Sequence, residues 1–179
     1  MIFKLLRKDP RRAVIEGLHD EIVAAARQPR LYAELGVPDT LEGRFEALCL
    51  HVLLVLRRLR ALPAPAAEIG QELVDHVFRQ LDRSLREMGV GDFGVPKRMK
   101  KLAQAFYGRA RAYDGALEAK DREALAAALA RNMTGGAEPA MALADYTLNL
   151  ERALAGMTLD VLTKGPRLAS PDWPAQEVR

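Results

Sequence analysis

Met88-Gly-Val-Gly-Asp-Phe-Gly-Val-Pro-Lys-Arg-Met-Lys-Lys101, running on through Phe106-Tyr107-Gly108-Arg109 to Tyr113, joins a glycine-rich turn to a helix with two unlike sides. Wound at about 100° per residue, Met99, Leu102, Phe106, Ala110, Tyr113 and Leu117 fall within a sector of roughly 80°. Lys97, Lys100, Lys101 and Arg111 gather on the opposite side. One side packs, and the other meets water or an anionic partner. Upstream, Leu81-Asp-Arg-Ser-Leu85-Arg-Glu-Met88 is itself a helical pattern, which makes Gly89 a helix stop and the whole segment helix–turn–helix.

The same three-and-four spacing of apolar residues extends in both directions. Towards the N-terminus, Asp9-Pro10 opens a first helix whose stripe is Val14, Leu18, Ile22 and Val23, ending at Gln28-Pro29. A short turn of helix follows over residues 30–35. Asp39 and Glu42 have capping-box spacing for a second long helix with core face Leu41, Phe45, Leu48, Val52, Leu56 and Leu59. After Pro63 and Pro65 a third helix, residues 66–88, carries Ile69, Leu73, Val77, Leu81 and Leu85. Towards the C-terminus, helices are expected over residues 96–119, 121–132 and 138–163, the last one after the Gly135-Gly136 stop. No run of alternating β-branched residues is long enough for a strand. The fold class is therefore all-α, a single-domain bundle of about six helices with short connections.

A chain of 179 residues with 49% hydrophobic and 28% charged residues suffices for one substantial core. The expected organisation is a basic and apolar segment at residues 1–8, a helical domain at 9–164 and a proline-rich tail at 165–179 held by Trp173. The first eight residues have the make-up of a brief interfacial anchor or a frayed start to helix one, and too short an apolar run for an export signal. The most apolar stretch, residues 47–56, falls well short of the roughly 20 residues needed to cross a bilayer. One cysteine, Cys49, excludes an internal disulfide and fits a cytoplasmic protein.

Catalytic chemistry finds little footing. Gly89, Gly91 and Gly94 satisfy a dinucleotide-binding spacing, but that fingerprint needs a strand before it. Gly89, Gly91, Asp92 and Gly94 are instead read as a structural loop, with the alternative that amides at the start of the following helix, aided by Lys97 and Arg98, hold an anion. His19, His51 and His76 lie on three different helices with no metal-ligand spacing, although Glu72, Asp75 and His76 stand close in sequence. Cys49 and His51 diverge by about 200° around their helix and form no dyad. No metal, cofactor or catalytic residue is assigned, and the chain is read as a non-enzyme.

Surfaces remain. Six lysines and arginines lie between Lys97 and Arg111 with no acid among them. They suit anionic headgroups or RNA phosphates, with Tyr107 at the border of the face, but without a module for reading nucleic acid sequence. Asp75 and Asp82 on the third helix are the internal candidates to neutralise them.

Several motifs, taken in order, resemble the ubiquinol-cytochrome c chaperone family. They are Asp39-Thr40 with Gly43-Arg44-Phe45-Glu46, then Leu50-His51 with Leu54-Val55-Leu56-Arg57-Arg58-Leu59. Above all they are Gly89-Val-Gly-Asp92, Val95-Pro96-Lys97 and Met99-Lys100, leading into Phe106-Tyr107-Gly108-Arg109 and Tyr113. The similarity runs from about Asp9 to Leu162, and the compact length resembles the bacterial members. It implies a non-catalytic helical assembly factor for respiratory complex III, one whose mitochondrial relatives bind newly made cytochrome b and associate with the ribosome. The implied client is cytochrome b or another nascent membrane protein. The ribosome is a further partner that the resemblance implies, an anionic membrane surface is one that the basic side suits, and the implied place is the inner face of the cytoplasmic membrane. From charge and position, Lys97, Arg98, Lys100, Lys101, Tyr107, Arg109 and Arg111 are the candidate partner-binding residues. The alternative is a ribosome- or RNA-associated basic helical protein without a cytochrome client.

Overall fold

A computed structural model describes residues 10–136, 138 and 140–168, and among these every regular element is helical. The elements are α1 (Pro10–Ala26), α2 (Pro29–Ala33), α3 (Leu41–Arg60), α4 (Ala66–Glu87), α5 (Gly94–Glu118), α6 (Arg122–Leu129) continued by a π turn (Ala130–Thr134), α7 (Met141–Ala155) and α8 (Leu159–Thr163). The all-α bundle is as expected. Asp9, the expected anchor at residues 1–8 and the tail beyond Leu168 lie outside the described residues.

The bundle is organised around α3. Every residue from Cys49 to Leu56 is buried, so this helix is apolar on all sides and runs through the middle of the core instead of presenting one stripe. Around it pack α1, α4, α5, α7 and the π turn, while α6 pairs with α7 and α8 returns to α1. The start of α3 differs from the expected capping box. Thr40 is the cap, its hydroxyl accepting from the Gly43 amide at 3.1 Å, whereas the Asp39 carboxylate accepts from Arg44 Nε at 2.7 Å. Gly43 is required here, because a Cβ at this position would stand 1.9 Å from the Pro38 carbonyl oxygen.

The expected sixth helix is two. Gly156 ends α7, and the Thr158 hydroxyl caps the Val161 amide to start α8. Arg58 of α3 fixes the corner by donating from Nε to the Met157 carbonyl at 2.8 Å. Thr158 three residues before Val161 after a glycine was the available signal, outweighed by the continuing apolar period.

Two buried polar pairs key the outer helices to α3. His51 donates from Nδ1 to the Ala47 carbonyl and accepts at Nε2 from the Tyr146 hydroxyl of α7, both at 2.7 Å. That arrangement uses the neutral ring, and burial pushes its pKa down to about 4 against the opposing pull of the Ala47 bond. Glu46 receives Arg109 of α5 as a fork, Nε to Oε2 at 3.0 Å and Nη2 to Oε1 at 2.7 Å. Beside it Cys49 is buried, with its thiol pushed up by burial and by Glu46. The Tyr113 hydroxyl is buried without a hydrogen bond; Asn132 is near enough to influence its charge but donates its amide to Ala128. At the rim, Arg57 reaches Asp114 and Glu151, and Arg60 shares Asp114, which ties α3 to α5 and α7.

Candidate functional site: an apolar groove beside a cationic helix edge

The α4–α5 turn is a structural element in its own right. Gly89 takes φ +81° and donates to the Arg86 carbonyl, while the Val90 amide reaches back to Leu85, the paired bonds of a Schellman stop. Asp92 accepts from Arg86 Nη1 at 2.6 Å. The amides of Gly94 and Val95 both turn to the Gly91 carbonyl, at 2.7 and 3.2 Å, and Pro96 has none. The start of α5 therefore lacks the row of free donors that the anion-holding alternative required.

Along α5 the expected division of sides appears, with Phe106, Tyr113 and Leu117 buried and Met99, Leu102 and Ala110 half-buried. Lys97, Arg98, Lys100, Lys101 and Arg111 are exposed, and among the described residues none has an ion-pair partner. The internal neutralisation considered for Asp75 and Asp82 is absent: Asp82 pairs with Arg86 one turn along α4, and Asp75 accepts from Gln71. Arg109 differs from its neighbours. Its guanidinium is committed to Glu46, which raises its pKa, so it anchors the helix while the other cations face outward. The angle foretold this, since Arg109 sits about 20° from Leu102 around the helix, on the margin of the packing side.

Between α1, α3, α4 and the start of α5 runs an open apolar groove of about 400 Å³, within the size range of ligand clefts. Phe45 and Leu48 of α3, Leu81 and Leu85 of α4 and Leu102 of α5 form its floor and walls, and Leu41 and Met88 stand at its mouth with 58% and 51% of their surface exposed. Among the described residues Arg27 and Arg44 are its charged lining, and no carboxylate lines it. Sequence reasoning assigned Leu41, Phe45 and Leu48 to the core face of α3. Phe45 and Leu48 do pack against the core, from a half-buried position, while Leu41 stands exposed at the mouth of the groove. Arg98, one turn before Leu102, lies along the same edge of α5.

The histidines behave differently from what their separation suggested. His19 and His76 meet edge to face across α1 and α4, ring centres 4.7 Å apart, and His76 is lowered by burial, then by His19 and Arg79. Among the described residues no three His, Cys, Asp or Glu side chains converge as a metal site. Glu72 is taken up by Arg11. No helix among the described residues is long and apolar enough to cross a membrane.

No curated protein matches the chain. Its overall structure is similar to the crystal structure of the Cbp3 homolog from Brucella abortus, with TM-score 0.79 and 45% identity over 92% of this chain and 94% of that one. The family model described as ubiquinol-cytochrome C chaperone matches residues 33–168, a span that holds the groove walls from α3 to α5 and the whole cationic edge. This chain belongs to the ubiquinol-cytochrome c chaperone family.

Proposed function

We propose that this protein is an assembly chaperone of the ubiquinol-cytochrome c reductase complex, which receives newly made cytochrome b at the cytoplasmic face of the inner membrane. The observation that carries the reading is the open groove, where Leu41 and Met88 are exposed and Phe45 and Leu48 remain only half-buried against the core. An apolar surface of this kind marks an interaction site, and an amphipathic segment laid into it would bury its own apolar side. Among the described residues no carboxylate lines the groove, and its exposed Arg27, with Arg44 already held by Asp39, favours a client segment with an acidic flank.

Lys97, Arg98, Lys100, Lys101, Tyr107 and Arg111 form the adjoining partner-binding face, with Arg109 tying its helix to the core. Such a division of labour needs no catalytic group, in keeping with a non-enzymatic role. The test is purification of the tagged protein from detergent-solubilised membranes. Recovery of cytochrome b, with loss of the assembled complex when the gene is deleted, supports the reading. Recovery of RNA or ribosomes alone, with complex levels intact, overturns it in favour of a ribosome-associated protein.

A further inference from the structure

Phe93 is fully exposed at the tip of the α4–α5 turn, an unusual position for the most apolar ring type. Its backbone is already α-helical, φ −74° and ψ −23°, so it continues the register of α5 backwards by one residue. At about 100° per residue, Phe93, Lys97, Lys100, Lys101, Tyr107 and Arg111 then share one arc of roughly 120° on the side of α5 turned away from the core. This stripe is about 27 Å long at 1.5 Å per residue. From Phe93 to Tyr113 there is no acid, and the adjacent Asp92 is held by Arg86.

We propose that this aromatic and cationic stripe is a bilayer-docking edge, which lies on anionic phospholipid with the Phe93 ring entering the boundary between headgroups and acyl chains. Cations along one straight helix edge match a flat charged surface, whereas single-stranded RNA is held in a groove that tracks its backbone. Tyr107, 57% exposed, has the amphipathic character of a headgroup-level ring. The inference rests on the membrane-face reading above and adds to it the lipid class and the residues that meet it.

The test uses the purified full chain and vesicles of phosphatidylcholine alone or mixed with phosphatidylglycerol. Flotation with the anionic vesicles only, weakened by salt, is expected. Each basic residue near such a surface multiplies binding about fivefold, so Lys97→Gln/Lys100→Gln/Lys101→Gln should lose about a hundredfold. Phe93→Ser should lose about tenfold with its salt dependence unchanged. Phe93→Trp, in a chain whose Trp173 is replaced by Phe, should blue-shift on the same vesicles. Equal binding to neutral vesicles, no binding to anionic ones, or unchanged binding of either variant would overturn the proposal, as would RNA binding without vesicle binding. Because these assays contain no cytochrome b, failure here with cytochrome b still recovered from cells removes the docking edge alone, and the reverse result removes the client reading alone.

Discussion

Replacing Glu46 by Leu strands the guanidinium of Arg109 in a site built for a carboxylate. Glu46 keeps 10% of its side chain exposed and Arg109 25%, and the fork between them closes at 2.7 and 3.0 Å. Breaking a buried pair from one side costs about 3–5 kcal/mol, and the residual exposure of Arg109 argues for the lower end, about 3 kcal/mol. For a chain of this size each kcal/mol lowers the melting temperature by about 2–4 °C, so Glu46→Leu should melt roughly 6–12 °C below the parent. Adding Arg109→Met removes the stranded charge and fills its place with flexible apolar volume. The double variant should recover to within about 1 kcal/mol of the parent, a coupling read directly from the mutant cycle. Thermal and urea unfolding followed by circular dichroism measure all four proteins. If Glu46→Leu costs less than about 1 kcal/mol, or if the two single effects simply add, the pair is not the anchor described here. The cycle also bears on function: the refolded double variant should hold its partners as well as the parent, because Arg109 acts inward.

Gly43→Ala places a methyl against the Pro38 carbonyl oxygen, 1.9 Å from the ideal Cβ position, and should destabilise by about 3 kcal/mol or more; unchanged unfolding would refute that tight approach. His51 is held neutral by burial with a pKa of about 4, whereas the unfolded chain protonates it near 6.5. Unfolded protein thus binds the extra proton between these values, and stability from this group, complete above about pH 6.5, falls as pH drops towards 4 by roughly 3 kcal/mol. His76, lowered by burial and by its neighbours His19 and Arg79, acts in the same direction, so the measurement is the difference in pH profile between parent and His51→Gln. A His51 imidazole that titrates near 6.5 in the folded protein by NMR would contradict it. Leu41→Ser with Met88→Ser changes only the exposed mouth of the groove and should leave stability within about 0.5 kcal/mol while reducing the cytochrome b recovered with the protein. Full recovery would count against the groove.

Much of the fold was legible because most helices begin or end at chemistry a sequence displays. Pro10 at a first turn and Gly89 at a stop act as read, and Asp121, where a helix was expected to begin, proves to be its cap, with its carboxylate 2.9 Å from the Ala124 amide. The errors arise where tertiary structure chooses between local options. Thr40 and Asp39 are both good caps, and Arg44 decides between them by drawing Asp39 aside. Cys49 to Leu56 has too many apolar residues for one stripe, which signalled a central helix, but a periodicity reading picks a face regardless. At the site, the outward cations followed from helix angle and an acid-free sequence. The groove did not, because Leu41, Phe45 and Leu48 have core spacing, and spacing alone does not tell an exposed Leu41 or a half-buried Phe45 and Leu48 from fully buried residues. Phe93 was hidden for a related reason: a turn residue carries no periodicity until its backbone shows that it extends α5.

Site-specific photo-crosslinking in growing cells tests the central claim most directly, with the reactive side chain placed at Leu48 or Met88 in the groove and, for comparison, at Arg152 on α7. The account predicts adducts to cytochrome b from the two groove positions and none from Arg152. Adducts from Arg152 alone, or groove positions that capture only ribosomal components, would contradict it.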